Sequence, residues 1–171
     1  APSYVERGAR MVQNYKNHAS IYSWSLGNES GTGANHAAMY GFIKEYDPAR
    51  LCQYEAGSPG KNISDVRGDM YATYDAILRL LCDPKDERPV ILVEYLYQIS
   101  NSGGGLDRFV HLTEEYPRFQ GGFVWDWQDK CLQGRREDGT PYFAYGGDFG
   151  EPVTDSECPW FMTNNGVVLP H

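Results

Sequence analysis

Residues 89–95 read Pro-Val-Ile-Leu-Val-Glu-Tyr, an unbroken apolar and largely β-branched run closed by a carboxylate and a phenol. A strand of this composition must be covered on both faces, the situation of a strand in a parallel sheet flanked by helices. The rest of the chain suits that demand. Apolar spacing predicts a helix over 4–17, with Val5, Ala9, Val12 and Tyr15 or Lys16 on one face, and a second over 35–46 that Asp47-Pro48 stops. Further helices are predicted over 73–82 and 106–116. Short β-rich runs fall at 21–26, 51–54, 69–72, 89–95 and 121–127, after which the chain turns irregular and rich in Gly, Pro and Asp. Strands alternating with helices imply parallel βαβ units, and five strands fit an open doubly wound sheet as well as part of a closed barrel.

Composition narrows the function classes. The chain has 171 residues, 41% hydrophobic and 14% aromatic, which suits one globular unit. Its net charge of −8 argues against nucleic acid, whose phosphates need a basic surface. No apolar run approaches the roughly 18 residues of a membrane helix, and the first residues, APSYVERGARMVQ, do not form a signal peptide. Cys52, Cys82, Cys131 and Cys158 show no metal or disulfide spacing and read as free thiols; a cytoplasmic location is favoured over a periplasmic or secreted one. Gly103-Gly104-Gly105 precedes a helix but lacks the lysine of a phosphate loop.

The chemistry lies in where the polar residues fall. Glu29, Glu94 and Asp126 each close an apolar run. In parallel α/β structures the C-terminal strand ends line the active-site face. A carboxylate placed there is costly to desolvate and has a partner or a task. Two carboxylates on one rim suit glycoside hydrolysis, in which one delivers a proton to the departing oxygen and the other attacks the anomeric carbon. Aromatic residues crowd the same segments, namely Tyr71, Tyr95, Trp125, Trp127 and Tyr145, and flat rings stack on the apolar faces of sugars.

Four blocks, in order, carry a resemblance that spans nearly the whole chain: IYSWSLGNESGTGANH at 21–36, PVILVEY at 89–95, QGGFVWDWQDK at 120–130 and YGGDFG at 145–150. They closely resemble the large bacterial β-galactosidases of glycoside hydrolase family two. The resemblance implies a partial (β/α)8 TIM barrel, about strands 4 to 8 with their helices, so that 1–171 is a single segment of a barrel domain without its N-terminal strands. It implies a retaining enzyme that removes terminal β-D-galactose, with Glu29 as acid/base and Glu94 as nucleophile. Asn28, Tyr71, Trp125 and Asp148 then fall in the sugar site. That cycle needs different environments for the two carboxyls, with Glu29 protonated while Glu94 is ionised.

The resemblance also implies Mg2+ and Na+ in the parent protein. Glu29 is the one magnesium ligand of the family pattern found here, and one carboxylate does not make a magnesium site. The sodium-binding segment is replaced by 161–166, FMTNNG, with one extra residue. The nucleophile block departs too: Tyr97 stands where the family carries a substrate-contacting histidine, and Ser100 where it carries glycine. These departures leave a related β-glycosidase of other sugar preference as an alternative. An inactive fragment prone to self-association and a lectin-like binding module are further readings. Away from the blocks, bland roles are expected: Glu55 as a structural neighbour of the site, Asp126 bonded to backbone or arginine, and Trp127 in the core. His36 is expected on the surface or as a cap, 83–88 in a solvated loop and 135–139 in a turn. His18, His36, His111 and His171 lack metal-ligand spacing.

Overall fold

The computed structural model describes residues 1–98, 102–150 and 166–168. Its elements are α1 (Pro2–Tyr15), β1 (Ser23–Ser25), α2 (Ala34–Tyr46), β2 (Leu51–Gln53), β3 (Arg67–Met70), α3 (Tyr74–Leu81), β4 (Val90–Tyr95), α4 (Leu106–Glu115), β5 (Phe119–Val124), β6 (Leu132–Arg135) and β7 (Pro141–Ala144). They fall into two compact units, one of 1–93 with 107–122 and one of 94–106 with 123–171.

The first unit holds the main core. β1 and β2 pair in parallel, with Ser23, Trp24 and Ser25 opposite Leu51, Cys52 and Gln53. Side chains two apart share a face of a strand. Trp24 and Leu26 therefore bury together with Cys52 and Tyr54, against Val12 of α1 and Met39 and Ile43 of α2. Close contact of the two helices depends on Gly8, where a Cβ would sit 2.7 Å from Met39 Cγ. β3 runs between its neighbours: a Cβ on Gly68 would meet Ile91 O at 3.5 Å and Glu55 Cα at 3.6 Å. The order β3-β4-β5 completes a three-stranded sheet. Val90 N–H bonds Arg118 C=O at 2.7 Å near the start of β4, and Trp125 N–H bonds Tyr95 C=O at 2.9 Å at its end. Both partners advance together along the chain, so β4 and β5 are parallel. Thr73 caps α3 by accepting from Ala76 N–H at 3.3 Å.

The second unit contains an antiparallel hairpin, with Leu132 opposite Ala144 and Arg135 opposite Pro141. Within the stretch beyond 127, expected to be irregular, residues 132–144 form this regular pair. Its turn at 136–140 agrees with the expected one and uses Asp138 and Gly139; Asp138 Oδ1 accepts from Thr140 N–H at 2.9 Å, and Gly139 has φ 84°.

Other expectations also change. Among the described residues the strands form sheets of two, three and two members, with no closed barrel. β3 starts at Arg67, two residues before the expected run. Segment 83–88 is not a solvated loop throughout. Arg88 is buried, donates to Pro59 C=O at 3.0 Å and Ser64 C=O at 2.9 Å, and pairs with Asp86 at 2.5 Å. Its guanidinium holds the Asp86 carboxyl well below the usual range. Trp127 is 63% exposed rather than in the core. His36 is buried rather than at the surface. Cys52, Cys82 and Cys131 are free thiols as expected, and Cys158 and His171 lie outside the described residues.

Candidate active site

The strand ends singled out in the sequence carry an unusual backbone. Among the described residues, non-glycine residues with positive φ are Glu29 (47°), Ser58 (51°), Tyr71 (52°) and Leu96 (58°). Glu29, Tyr71 and Leu96 follow the C-terminal ends of β1, β3 and β4. A left-handed L-residue costs about 1–3 kcal/mol, persists only where its surroundings hold it, and occurs preferentially at functional sites.

What holds Glu29 is identifiable. The parallel register of β1 and β2 brings Tyr54 and Glu55 beside the 27–31 loop. Glu55 is buried and accepts from Glu29 N–H through Oε1 at 2.7 Å. Tyr54 Oη accepts from Ser30 N–H at 3.0 Å and donates to Gly31 C=O at 2.5 Å. Ser30 Oγ lies 2.9 Å from Tyr54 Oη and 3.3 Å from His36 Nε2. The His36 ring stacks on Tyr54 at 4.3 Å and meets Tyr4 edge-on at 5.2 Å.

Counting protons fixes the direction of this chain. Tyr54 has one hydroxyl proton, and Gly31 C=O takes it. The Ser30–Tyr54 contact then needs the Ser30 proton, and the His36–Ser30 contact needs a proton on His36 Nε2. Burial pushes the His36 pKa down, against the opposing pull of the Glu55 charge. The ring is therefore neutral near pH 7 and in its Nε2–H tautomer. Asn28 and the Glu29 side chain are exposed above this scaffold, and Tyr71, in the same unit, is 42% exposed.

Glu94, Tyr97, Trp125 and Asp148 belong to the second unit. Glu94 and Tyr97 are half-buried; Tyr95 between them is buried, which raises its phenol pKa. Tyr97 C=O accepts from the Ser102 hydroxyl at 3.2 Å. Trp125 is 42% exposed, with the Lys130 ammonium 4.7 Å from its ring centroid. Lys130 also pairs with Asp126, whose Oδ1 accepts from Trp127 N–H at 2.9 Å, so the expected backbone bond is present and the cation is lysine rather than arginine. Asp148 closes a turn, taking Tyr145 N–H on Oδ2 at 3.0 Å and donating its own N–H to Tyr145 C=O at 3.0 Å.

Among the described residues no group of three or more His, Cys, Asp or Glu side chains could hold an ion, and Glu55 Oε1 is already engaged with Glu29 N–H. Residues 161–165 of the expected sodium segment, 161–166, lie outside the described residues. Sequence reasoning missed Tyr54, Ser30 and His36 as parts of the site. A tyrosine and a histidine in apolar surroundings carry no signal until β2 is known to pair with β1.

The first unit thus carries Glu29 in a left-handed conformation after a strand end, and the second carries half-buried Glu94 and the exposed rings of Trp125 and Trp127. The chain belongs to the TIM barrel domain of glycosyl hydrolases family 2, whose family model matches residues 1–170. It is 44% identical to a β-galactosidase of Yersinia enterocolitica serotype O:8 and 42% identical to one of Pseudoalteromonas haloplanktis, over 98% and 99% of this chain. It spans 17% of the length of each of those relatives. Among solved structures it superposes on an FMN-binding β-glucuronidase from Facaelibacterium prausnitzii L2-6 with a TM-score of 0.59 and 18% identity, over 98% of this chain and 29% of that one. A glycosyl hydrolase family 2 member from Bacteroides cellulosilyticus gives a TM-score of 0.56 and 23% identity, over 74% of this chain and 18% of that one. At those identities the likeness is one of fold.

Proposed function

We propose that this chain supplies both catalytic carboxylates of a retaining glycoside hydrolase that removes terminal non-reducing β-D-galactose from β-galactosides. The observation that carries the reading is Glu29, held in a left-handed conformation at a strand end by buried Glu55 and Tyr54. In this reading β1 to β5 are the fourth to eighth strands of the parent barrel.

Glu94 attacks the anomeric carbon while Glu29 protonates the departing glycosidic oxygen, leaving a galactosyl ester on Glu94. Glu29 then takes a proton from water, which cleaves the ester and restores both groups. Direct attack of this kind requires the two carboxyls about 5–5.5 Å apart around the scissile bond. Asn28 bonds the hydroxyl adjacent to the anomeric carbon, Trp125 forms the platform under the sugar, and Tyr71, Tyr97 and Asp148 complete the pocket. No step is routed through magnesium or sodium.

A 2-fluoro-galactoside with a good leaving group would trap the ester in the parent protein. Mass mapping is expected to find the label on Glu94, and a label on any other residue rejects the mechanism. A second reading, a β-glycosidase of other sugar preference, is favoured by Tyr97, which is bulkier than the family's histidine and cannot be cationic. A panel of aryl glycosides separates the two: galactosides as the poorest substrates would replace the first reading. The 171-residue chain by itself is expected to self-associate and to turn over no substrate. Activity of the purified monomer, abolished by Glu94→Gln, would reverse that expectation.

A further inference from the structure

We propose that His36 is a positioning residue for Glu29, acting through Ser30 and Tyr54 rather than by touching substrate. The inference rests on the reading of Glu29 as acid/base. The path is short and continuous: His36 Nε2–H donates to Ser30 Oγ, Ser30 donates to Tyr54 Oη, and Tyr54 donates to Gly31 C=O, with contacts of 3.3, 2.9 and 2.5 Å. Tyr54 Oη also receives Ser30 N–H at 3.0 Å, so the 29–30 and 31–32 peptide groups are both fixed by one oxygen.

Glu29 sits immediately before this clamp with φ at 47°, a conformation that needs external support. Buried Glu55 supplies one support at Glu29 N–H, and the His36 chain supplies the other. Gly27, with φ 154°, gives the loop its entry, and a Cβ there would come within 3.2 Å of Ser30 Oγ. His36 contributes direction as well as packing. Only an Nε2–H donor orients the Ser30 proton towards Tyr54; a proton on Nδ1 alone would turn the Ser30 hydroxyl towards the imidazole and leave two oxygens facing without a hydrogen. The stack on Tyr54 and the edge contact with Tyr4 hold the ring in that pose.

The test uses the intact parent enzyme and compares leaving groups. General acid catalysis matters most for alkyl galactosides, whose departing oxygen needs the proton, and least for dinitrophenyl galactosides, whose phenolate leaves unaided. Because misplacement by about 1 Å can cost on the order of a hundredfold, His36→Phe is expected to lower kcat/KM, which reports the first step alone, roughly ten- to a hundredfold for alkyl galactosides while changing kcat/KM for dinitrophenyl galactosides only about twofold. Tyr54→Phe, which keeps the ring under His36 and removes Oη, is expected to give the same selective loss. His36→Gln, whose amide nitrogen can occupy the Nε2 position, is expected to restore most of the alkyl activity. An equal loss on both substrate classes, or a His36→Gln variant no better than His36→Phe, overturns the proposal. Glu29→Ala runs beside them. If it too lacks leaving-group selectivity, the acid/base assignment has failed; if it shows the selectivity and the His36 and Tyr54 variants do not, the positioning role alone has failed.

Discussion

Asp65→Asn should destabilise the first unit by an amount that depends on pH in a defined way. The Asp65 carboxylate is partly buried and accepts three hydrogen bonds, from Tyr40 Oη at 2.6 Å, Cys52 N–H at 2.8 Å and Lys44 Nζ at 3.1 Å. It thereby ties α2, β2 and the loop after β2 together. An amide in its place can keep its oxygen towards Cys52 and Lys44, but its nitrogen then faces Tyr40, which must turn to accept. The bonds from Tyr40 and Cys52 also pass from charge-assisted to neutral, and the Lys44 bond loses its ion pair, a loss of roughly 1 kcal/mol apiece. Discounting the partly exposed Lys44 pair leaves a cost of about 2 kcal/mol near neutral pH. Burial pushes the Asp65 carboxyl up, but the bonds from Tyr40, Cys52 and Lys44 outweigh it and hold the folded-state pKa below the ordinary value. The sign follows: the contribution is complete above the unfolded carboxyl pKa of about 3.9 and is lost as pH falls through the lower folded value. Urea unfolding followed by circular dichroism should show a midpoint lowered by about 1 M at pH 7. The gap should narrow as pH falls below the unfolded carboxyl pKa. A gap of the same size above and below that pKa, or none at pH 7, would refute the network as the source.

Three further outcomes are expected. In Gly122→Ala the new Cβ would lie 2.7 Å from Leu92 Cβ and 2.8 Å from Leu92 O; since backbone cannot step aside, thermal unfolding should report a loss of about 1–3 kcal/mol. Cys52 is fully buried, and burial together with the Asp65 charge pushes its thiol up to about 12 despite the nearby Lys44; a thiol reagent at pH 8 should modify exposed Cys82 in the native chain and spare Cys52 until urea is added. Amides of β1 and β2, which carry buried Trp24 and Cys52, should exchange more slowly than those of β6 and β7, which carry exposed Leu132 and Phe143; the reverse order would place the stable core elsewhere.

How much of this was legible in the sequence depends on the range of the interaction. The run at 90–95 declares β4 because its composition admits no exposed face, and the helix over 2–15 declares itself through Val12, although Gly8 proves to be the second buried position. Glu29 and Glu94 are legible because they close apolar runs. His36 is not, because its burial comes from Tyr4 and Tyr54, which lie 32 positions before it and 18 after. Arg88 misleads for the same reason: an acidic and basic stretch reads as solvated until the carbonyls of Pro59 and Ser64 are found beside it. The β6–β7 hairpin hid in a polar, charged stretch, with Asp138-Gly139 and the Tyr142-Phe143 pair as its local signs. Local composition thus gives elements and strand-end residues, while partners distant in the chain decide which polar groups are buried.

The uneven distribution of apolar burial bears on where the nucleophile sits. Of the core residues, Val12, Trp24, Ile43, Cys52, Tyr54, Ile77, Leu92, Leu112 and Phe119 all belong to the first unit, whereas the described part of the second contributes Tyr95 and Ala144. In that second unit Phe123, Trp125, Trp127, Leu132, Phe143, Tyr145 and Phe149 each remain more than two-fifths exposed. Six rings and a leucine left in water at that density lose the burial that stabilises a fold and mark a surface made for contact. A sugar-binding rim accounts for some of them, since a galactosyl ring covers one or two aromatic faces. It does not account for all seven. The loop that carries Glu29 thus stands on the unit with the denser apolar core among the described residues.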